Sequence, residues 1–415
     1  MHDDFTSLLD EFKWRGFFEQ CTDEAGLAAR LAAGPLTGYA GFDPTADSLH
    51  IGSLVPIMGL VHLQRWGHRP IAIVGGATAM VGDPSGKTEL RTMLTLDEIA
   101  ANLEGIKAQL SHYIRLGDGP GDGLMVNNAD WLKDYSYIEF LRDVGRHFSV
   151  NQMLTRDSVK LRMENGLSFI EFNYMILQAY DFMVLNRDHD CVLQLGGSDQ
   201  WGNICSGIDL CRRVNRTETF GLTFPLIGTA TGAKMGKTAA GALWLSPDRT
   251  SPYDFYQYWV NVDDRDVSRF LRLYTLLPKA EIERLERLQG AEIREAKRAL
   301  AREVTALLHG RDEAAAAEQA AAALFGEGED ESAVPASERA RTDLDGDGLP
   351  LLDALVDAGV LASKGEARRL IRQKAVRVNG KVVADELRLL TAADVQDGRV
   401  ALQVGKKRHH HLRIV

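Results

Sequence analysis

Apolar residues recur along this chain in short runs that end in glycine-rich or polar turns and give way to helical periodicity. The runs are Gly38–Phe42, Pro70–Val74, Gly123–Val126, Cys191–Leu195 and Thr223–Ile227. Strands alternating with helices predict an α/β fold: a parallel sheet with helices on both faces and ligands at the carboxyl ends of its strands. Functional side chains are expected just after these runs.

Helix starts are marked as well. Thr95, with Asp97 and Glu98 behind it, opens one helix. Ser168-Phe169-Ile170-Glu171 is a capping box opening another, which runs through roughly Leu185. That helix is apolar almost all round, except for Tyr174, Gln178 and Asp181 at i, i+4 and i+7. A carboxylate beside Phe182 and Met183 is costly without a partner, which favours a binding stripe over a wet face.

From Pro252 to about Phe325 the pattern is helical. Residues 326–348 are acidic, hold almost no large apolar side chains, and read as a linker. Beyond them, Ser363-Lys364-Gly365-Glu366 is a capping box for a helix bearing Arg368, Arg369 and Arg372. A hairpin follows over Val376–Val382, turning at Asn379-Gly380 and carrying Arg377 and Lys381. Basic groups on helix and hairpin can converge on one phosphate-binding face. His409, His410 and His411 read as strand.

The length of 415 residues suggests two or three domains, and 45% hydrophobic with 26% charged residues is the balance of a globular protein. No apolar run approaches the roughly 18–20 residues that span a bilayer. The acidic start lacks the features of a signal peptide, so a cytoplasmic location is expected. Cys21, Cys191, Cys205 and Cys211 show no disulfide or zinc spacing and are expected to be reduced and buried. The net charge of −10 hides an asymmetry, because residues 350–415 hold 13 basic and 7 acidic side chains. A basic tail suits nucleic acid or is merely a charge-balanced surface; charge alone does not separate the two.

Four segments carry candidate chemistry. His50-Ile51-Gly52-Ser53 follows the first run; a glycine at a helix start lets a nucleotide approach the free N–H groups, and an imidazole can receive phosphate charge. A lone histidine is more often a satisfied structural residue. Lys234-Met235-Gly236-Lys237-Thr238 lies where no strand or helix pattern is visible, and suits either a clamp on β- and γ-phosphates or a solvated basic loop. Gly82-Asp83-Pro84-Ser85-Gly86-Lys87-Thr88 imitates a P-loop, but Val81 stands where that spacing requires glycine; Lys87 and Arg91 remain candidates for phosphate contact. Gly196-Gly197-Ser198-Asp199-Gln200 offers glycines for close approach, Asp199 for ribose hydroxyls and Gln200 for a carboxylate or phosphate.

Together these motifs resemble the bacterial tyrosyl-tRNA synthetases, class I enzymes, over essentially the whole chain. His50–Ser53 and Lys234–Thr238 are similar to the signatures written HIGH and KMSKS, departing from them at Ser53, Gly236 and Thr238. Tyr39–Thr45, Gly82–Lys87 and Gly196–Asn203 also resemble family motifs. The resemblance implies a Rossmann-like catalytic domain over 1–228, with a dimer-forming insertion at about 120–165. It implies a KMSKS-like loop and α-helical domain over 229–325, the linker over 326–348, and a small α+β S4-like RNA-binding domain over 349–415. A homodimer is implied, acting on L-tyrosine, tRNA(Tyr) and ATP with Mg²⁺, and no tightly bound metal or organic cofactor.

By the same resemblance Tyr39 and Asp181 would read a phenolic hydroxyl. Asp83, Tyr174 and Gln178 would hold the α-ammonium, with Gln200 near the carboxylate. Asp43, Gly52, Gly197 and Asp199 would hold ribose and adenine, and Thr45 and His50 would face the γ-phosphate. Lys87, Arg91, Lys234, Lys237 and Thr238 would close over leaving pyrophosphate, and Arg368, Arg369, Arg372, Arg377 and Lys381 would meet RNA. The nearest rival is a tryptophanyl-tRNA synthetase, disfavoured by the Tyr39/Asp181 pair and the S4-like tail. A noncatalytic RNA-binding relative would not need His50, Asp83, Lys234 and Lys237, and a dinucleotide oxidoreductase lacks its Gly-x-Gly-x-x-Gly.

Overall fold

The apolar runs pair into one sheet in a computed structural model. It describes residues 4–83, 95–156, 159–160, 163, 166–230, 232, 235–238, 241–325, 335–344, 348–396, 398–405 and 408–414. The chain forms two compact units, Met1–Ala315 and Ala316–Val415.

In the first unit the strands are β1 (Gln20–Cys21), β2 (Thr37–Phe42), β3 (Arg69–Val74), β4 (Leu124–Asn127), β5 (Cys191–Gly197) and β6 (Phe220–Phe224). Their order across the sheet is β1-β6-β5-β2-β3-β4. β2 to β6 run parallel, and β1 closes one edge antiparallel to β6. The chain thus works outward from β2 to β4 and then returns to β5, so its direction of travel switches between β2 and β5. A crevice at the carboxyl ends of those two strands follows from this topology.

Helix Leu54–Arg65 crosses from β2 to β3, burying Ile57, Leu60 and Leu63. A Cβ at its Gly59 would stand 2.4 Å from the Phe224 ring, so only glycine admits this approach to β6. Helix Leu96–Tyr113 starts at Thr95 in a capping box with Glu98, and helix Phe169–His189 in the box of Ser168 and Glu171. The latter extends past the expected end at Leu185, stopping where Asp190 turns left-handed at φ 51°. β6 also lies nearer the N-terminus than the expected Thr223–Ile227, because Pro225 has no N–H to continue the ladder.

Two residues of the expected loop, Lys237–Thr238, form a short strand β7 paired with β8 (Gly241–Ala242), which corrects the pattern-free reading of that segment. Beyond it come helices Pro252–Val260, Asp264–Tyr274, Lys279–Glu286 and Ile293–His309. Their aromatic core sets Trp259 against Tyr274 at 5.3 Å and Phe270 at 5.8 Å. This helical region belongs to the same compact unit as the sheet. Cys191 and Cys211 are buried thiols as expected, but Cys21 and Cys205 are only half-buried. Among the described residues no helix is long and apolar enough to cross a membrane.

The second unit contains β9 (Ala336–Arg339), β10 (Leu349–Pro350), β11 (Val376–Val378), β12 (Lys381–Val382), β13 (Leu389–Leu390), β14 (Arg399–Val404) and β15 (Arg408–Ile414). Five of them form a sheet in the order β12-β11-β14-β15-β9. Asn379 and Gly380, at φ 48° and 75°, make the tight turn between β11 and β12. Ser363 caps helix Lys364–Arg372 through the Glu366 N–H, while Glu366 reaches back to Ala362 rather than closing the box on Ser363. The expected 326–348 linker needs correction here. β9 pairs parallel with β15, and Leu344 is 2% exposed in the core with Leu351, Ile371 and Leu402, so residues 335–344 belong to this fold.

Candidate active site

A cavity of about 390 Å³ opens where the carboxyl ends of β2 and β5 meet. Its floor is Asp181, which helix Phe169–His189 delivers at 4% exposure. One carboxylate oxygen accepts from Asn128 Nδ2 at 3.0 Å and the other from Trp131 Nε1 at 2.8 Å. Asn128 is held in turn, accepting the Ala77 N–H at 2.8 Å and donating to Thr78 Oγ1 at 2.9 Å. Burial pushes the Asp181 carboxyl up to about 7, against the pull of these two donors.

Tyr39, on β2, is 2% exposed, its ring tilted on Phe182 at 5.2 Å. Its hydroxyl is buried in the cavity lining with no hydrogen-bond partner. Burial and then the neighbouring Asp181 charge hold this phenol well above its ordinary range, so it remains an O–H. A desolvated orphan hydroxyl beside a desolvated carboxylate costs stability unless a ligand completes it.

Toward the cavity's other end, amides and a carboxylate are woven together. Gln178 donates to Gln200 Oε1 at 3.1 Å, and Gln200 donates to Asp83 Oδ2 at 2.8 Å. Asn203 donates to both Gln178 and Gln200, at 2.8 and 3.1 Å. Tyr174 lines the same space. An acceptor-rich end of this kind suits an ammonium group.

Two further hollows adjoin, of about 290 and 250 Å³, and all three share Gly52 and Pro56. At their junction His50 Nδ1 accepts the Gly52 N–H at 2.9 Å. A neutral His50 therefore carries its proton on Nε2 and is a donor there. Gly52 must be glycine, because a Cβ would lie 2.5 Å from the imidazole. The larger of the two is lined by Asp43, Thr45, His50 and Trp244, the smaller by Gly197, Asp199, Phe224, Leu226 and Met235.

The predicted residues Tyr39, Asp43, His50, Gly52, Asp83, Tyr174, Gln178, Asp181, Gly197, Asp199 and Gln200 thus line one cavity, and Thr45 its neighbour. Lys87, Arg91 and Lys234 lie outside the described residues, and of Lys237 and Thr238 only the backbone is described. Arg368, Arg369, Arg372, Arg377 and Lys381 are all exposed in the second unit, but Arg372 is already paired with Glu386.

Comparison with known proteins gives this geometry its context. The family model for tRNA synthetases class I (W and Y) matches residues 31–326, and that for the tyrosine–tRNA ligase SYY-like C-terminal domain matches 332–412. A tyrosine–tRNA ligase of Rhizobium meliloti (strain 1021) is 54% identical, with 99% of each chain covered. The chain belongs to the tyrosyl-tRNA synthetases. A tyrosine–tRNA ligase of Clostridium beijerinckii is 50% identical, over 98% of this synthetase and 99% of that one. A C-terminally truncated mitochondrial tyrosyl-tRNA synthetase of Aspergillus nidulans superposes with a TM-score of 0.69 at 32% identity, covering 77% of this chain and 94% of that chain.

The synthetase's departure at Gly236 has a local cause. Its φ is 81°, and a Cβ there would stand 2.8 Å from Ile51 Cγ1, so a serine fits neither the backbone nor the space. Sequence reasoning missed Thr78, Asn128, Trp131 and Asn203. Asn128 follows directly on β4, where the carboxyl-end rule points, and Asn203 closes the Gly196–Asn203 motif without having been given a role; Thr78 and Trp131 gave no pattern of their own.

Proposed function

We propose that this chain activates L-tyrosine with ATP, releasing pyrophosphate, and then transfers tyrosyl to the 3′ end of tRNA(Tyr). The observation that carries the reading is the buried pair of Asp181, with all its contacts from donors, and Tyr39, with none. A phenol satisfies both at once, donating to the carboxylate and accepting from the Tyr39 hydroxyl. A phenyl ring or an indole leaves a desolvated group unpaired and is rejected on that account. Asp83, Tyr174 and Gln178 take the α-ammonium, and Gln200 lies near the carboxylate.

ATP enters as its Mg²⁺ complex. Asp43, the Gly52 backbone, Gly197 and Asp199 take ribose and base, and the apolar hollow of Phe224, Leu226 and Met235 suits a flat heteroaromatic ring. A tyrosine carboxylate oxygen attacks the α-phosphorus in line; the bond to the β-phosphate oxygen breaks and pyrophosphate departs with its electron pair. A hydroxyl of the terminal ribose of tRNA then attacks the carbonyl carbon and AMP leaves. No side chain is acylated, so the protein contributes positioning and charge stabilisation. Thr45 and the His50 Nε2–H face the γ side, and Lys87, Arg91, Lys234, Lys237 and Thr238 surround the departing pyrophosphate. Lys237→Ala should lower the single-turnover adenylation rate about 10- to 100-fold with tyrosine affinity unchanged, as rapid quench and equilibrium dialysis would show.

The reading includes a second copy of the chain as partner and a cytoplasmic location. Tyr137, Ile138, Val150 and Phe169 are 58%, 71%, 58% and 70% exposed within the 120–165 insertion and at the start of the next helix. Large apolar side chains exposed to this degree suit an isologous interface.

Amino-acid-dependent exchange of labelled pyrophosphate into ATP, run with all twenty amino acids and no tRNA, tests the reading. Exchange with tyrosine alone is expected. Exchange with tryptophan instead would overturn the specificity, and exchange with none would overturn the chemistry.

A further inference from the structure

Helix Asp264–Tyr274 reaches residues just before the Lys234–Thr238 signature and one residue within it. Asp266, 2% exposed, accepts the Ala230 N–H at 2.8 Å with one carboxylate oxygen and pairs with Arg269 at 2.6 Å through the other. The same Arg269 nitrogen donates to the Gly228 carbonyl at 2.5 Å. Two turns further along, the buried Tyr274 hydroxyl donates to Met235 Sδ at 3.1 Å. One scaffold therefore holds residues 228–230 before the segment and Met235 within it.

The other side of this scaffold is tied to the far end of the helix that follows His50–Ser53. Arg15 donates to the carbonyls of Arg272, Thr275 and Leu277 at 3.0, 3.0 and 3.1 Å, capping the helix's last turn. Arg15 is itself paired at 2.7 Å with buried Glu11, whose carboxylate also accepts Trp66 Nε1 at 2.7 Å. Trp66 ends the helix that His50–Ser53 opens. Across the gap, Gly236 already lies against Ile51. The two signature segments and the helix form a closed frame.

Packing alone would not call for these groups. A carboxylate as buried as Asp266 carries a desolvation cost that an apolar side chain of the same volume avoids, and what it supplies in return is direction. Here that direction is aimed at loop backbone and at a thioether, not at core.

We infer that Asp266, Arg269 and Tyr274 are positioning residues for adenylation. They fix the distance of the Lys234–Thr238 segment from His50–Ser53, and with it where the cations stand around departing pyrophosphate. The inference rests on the pyrophosphate role proposed above for that segment.

The test uses the full-length enzyme and three variants: Asp266→Asn, Arg269→Gln and Tyr274→Phe. Single-turnover formation of tyrosyl-adenylate should slow about 10-fold or more in each, since a misplacement near 1 Å has effects of this order. Tyrosine affinity and the rate of transfer from preformed adenylate to tRNA should stay at wild-type values, which a general loosening of the fold would not leave untouched. Tyr274→Phe keeps core volume and Arg269→Gln changes an exposed side chain, so both should fold. Wild-type adenylation in folded Tyr274→Phe and Arg269→Gln would overturn the inference, as would a parallel loss of tyrosine affinity. Should Asp266→Asn not fold, the other two decide. Lys237→Ala is run alongside: a normal rate there sinks the pyrophosphate role itself, whereas a slow Lys237→Ala beside normal positioning variants sinks only this inference.

Discussion

Asp181→Asn is expected to cut tyrosine-dependent pyrophosphate exchange about 100-fold or more. A hydrogen bond to a charged group is worth about 1.5–3 kcal/mol, or roughly one to two decades in rate. The asparagine amide adds a further penalty, because it turns a donor toward Asn128 and Trp131, which are already donors at 3.0 and 2.8 Å. The charge also carries a pH signature. Burial lifts the Asp181 carboxyl to about 7, so the free enzyme's acceptor is lost by protonation below that value. The wild-type KM for tyrosine should therefore rise as pH falls from about 8 to about 6. Stability moves the opposite way. The native state keeps a proton that the unfolded chain has released above its ordinary value of about 4, so stability declines as pH rises from there through about 7. Asparagine has no such slope, and the Tm of the variant should gain on wild type between about pH 5 and about pH 8. Parallel Tm curves together with a pH-independent KM would show that Asp181 is not the group reading the phenol.

What the sequence made legible depended on whether the signal was local. The parallel sheet showed in apolar runs that end at glycines, and both long crossover helices in Thr95/Glu98 and Ser168/Glu171, because capping is settled within four residues. Asp181 stood out as a carboxylate set beside Phe182 and Met183 in the apolar middle of a helix. Its partners did not, since Asn128 and Trp131 reach it from other elements, with Thr78 holding Asn128, and only the folded sheet brings them together. β9 was hidden for a different reason. Ala336-Ser337-Glu338-Arg339 has no apolar alternation, and it joins the sheet edge through its backbone, with the His411 N–H reaching the Pro335 carbonyl at 2.8 Å. An edge strand can be chemically silent while its neighbour carries the pattern. Arg372 shows the same limit on a surface: its charge was visible, but not that Glu386 engages it.

That hidden strand changes how the tail should be removed. A chain ending at residue 348 would keep β9 and Leu344 while losing β15, leaving an unpaired edge and a buried leucine without its core. A chain ending at Phe325 removes the second sheet whole. It is expected to retain tyrosine-dependent pyrophosphate exchange close to the full-length rate, because every described residue of the three adjoining cavities lies before 316. Charging of tRNA should fall about 1000-fold or more at subsaturating tRNA. The four basic side chains other than Arg372, at about 1 kcal/mol per phosphate contact, amount to about 4 kcal/mol, or about three decades in Kd. In the full-length enzyme, alanine at Arg368, Arg369, Arg377 or Lys381 should each weaken tRNA binding and flatten its salt dependence. Arg372→Ala should do least, since Glu386 already holds that guanidinium. A truncated enzyme that charges tRNA at the normal rate would take the tail out of RNA recognition, and one that loses exchange as well would place part of the amino-acid site beyond Phe325.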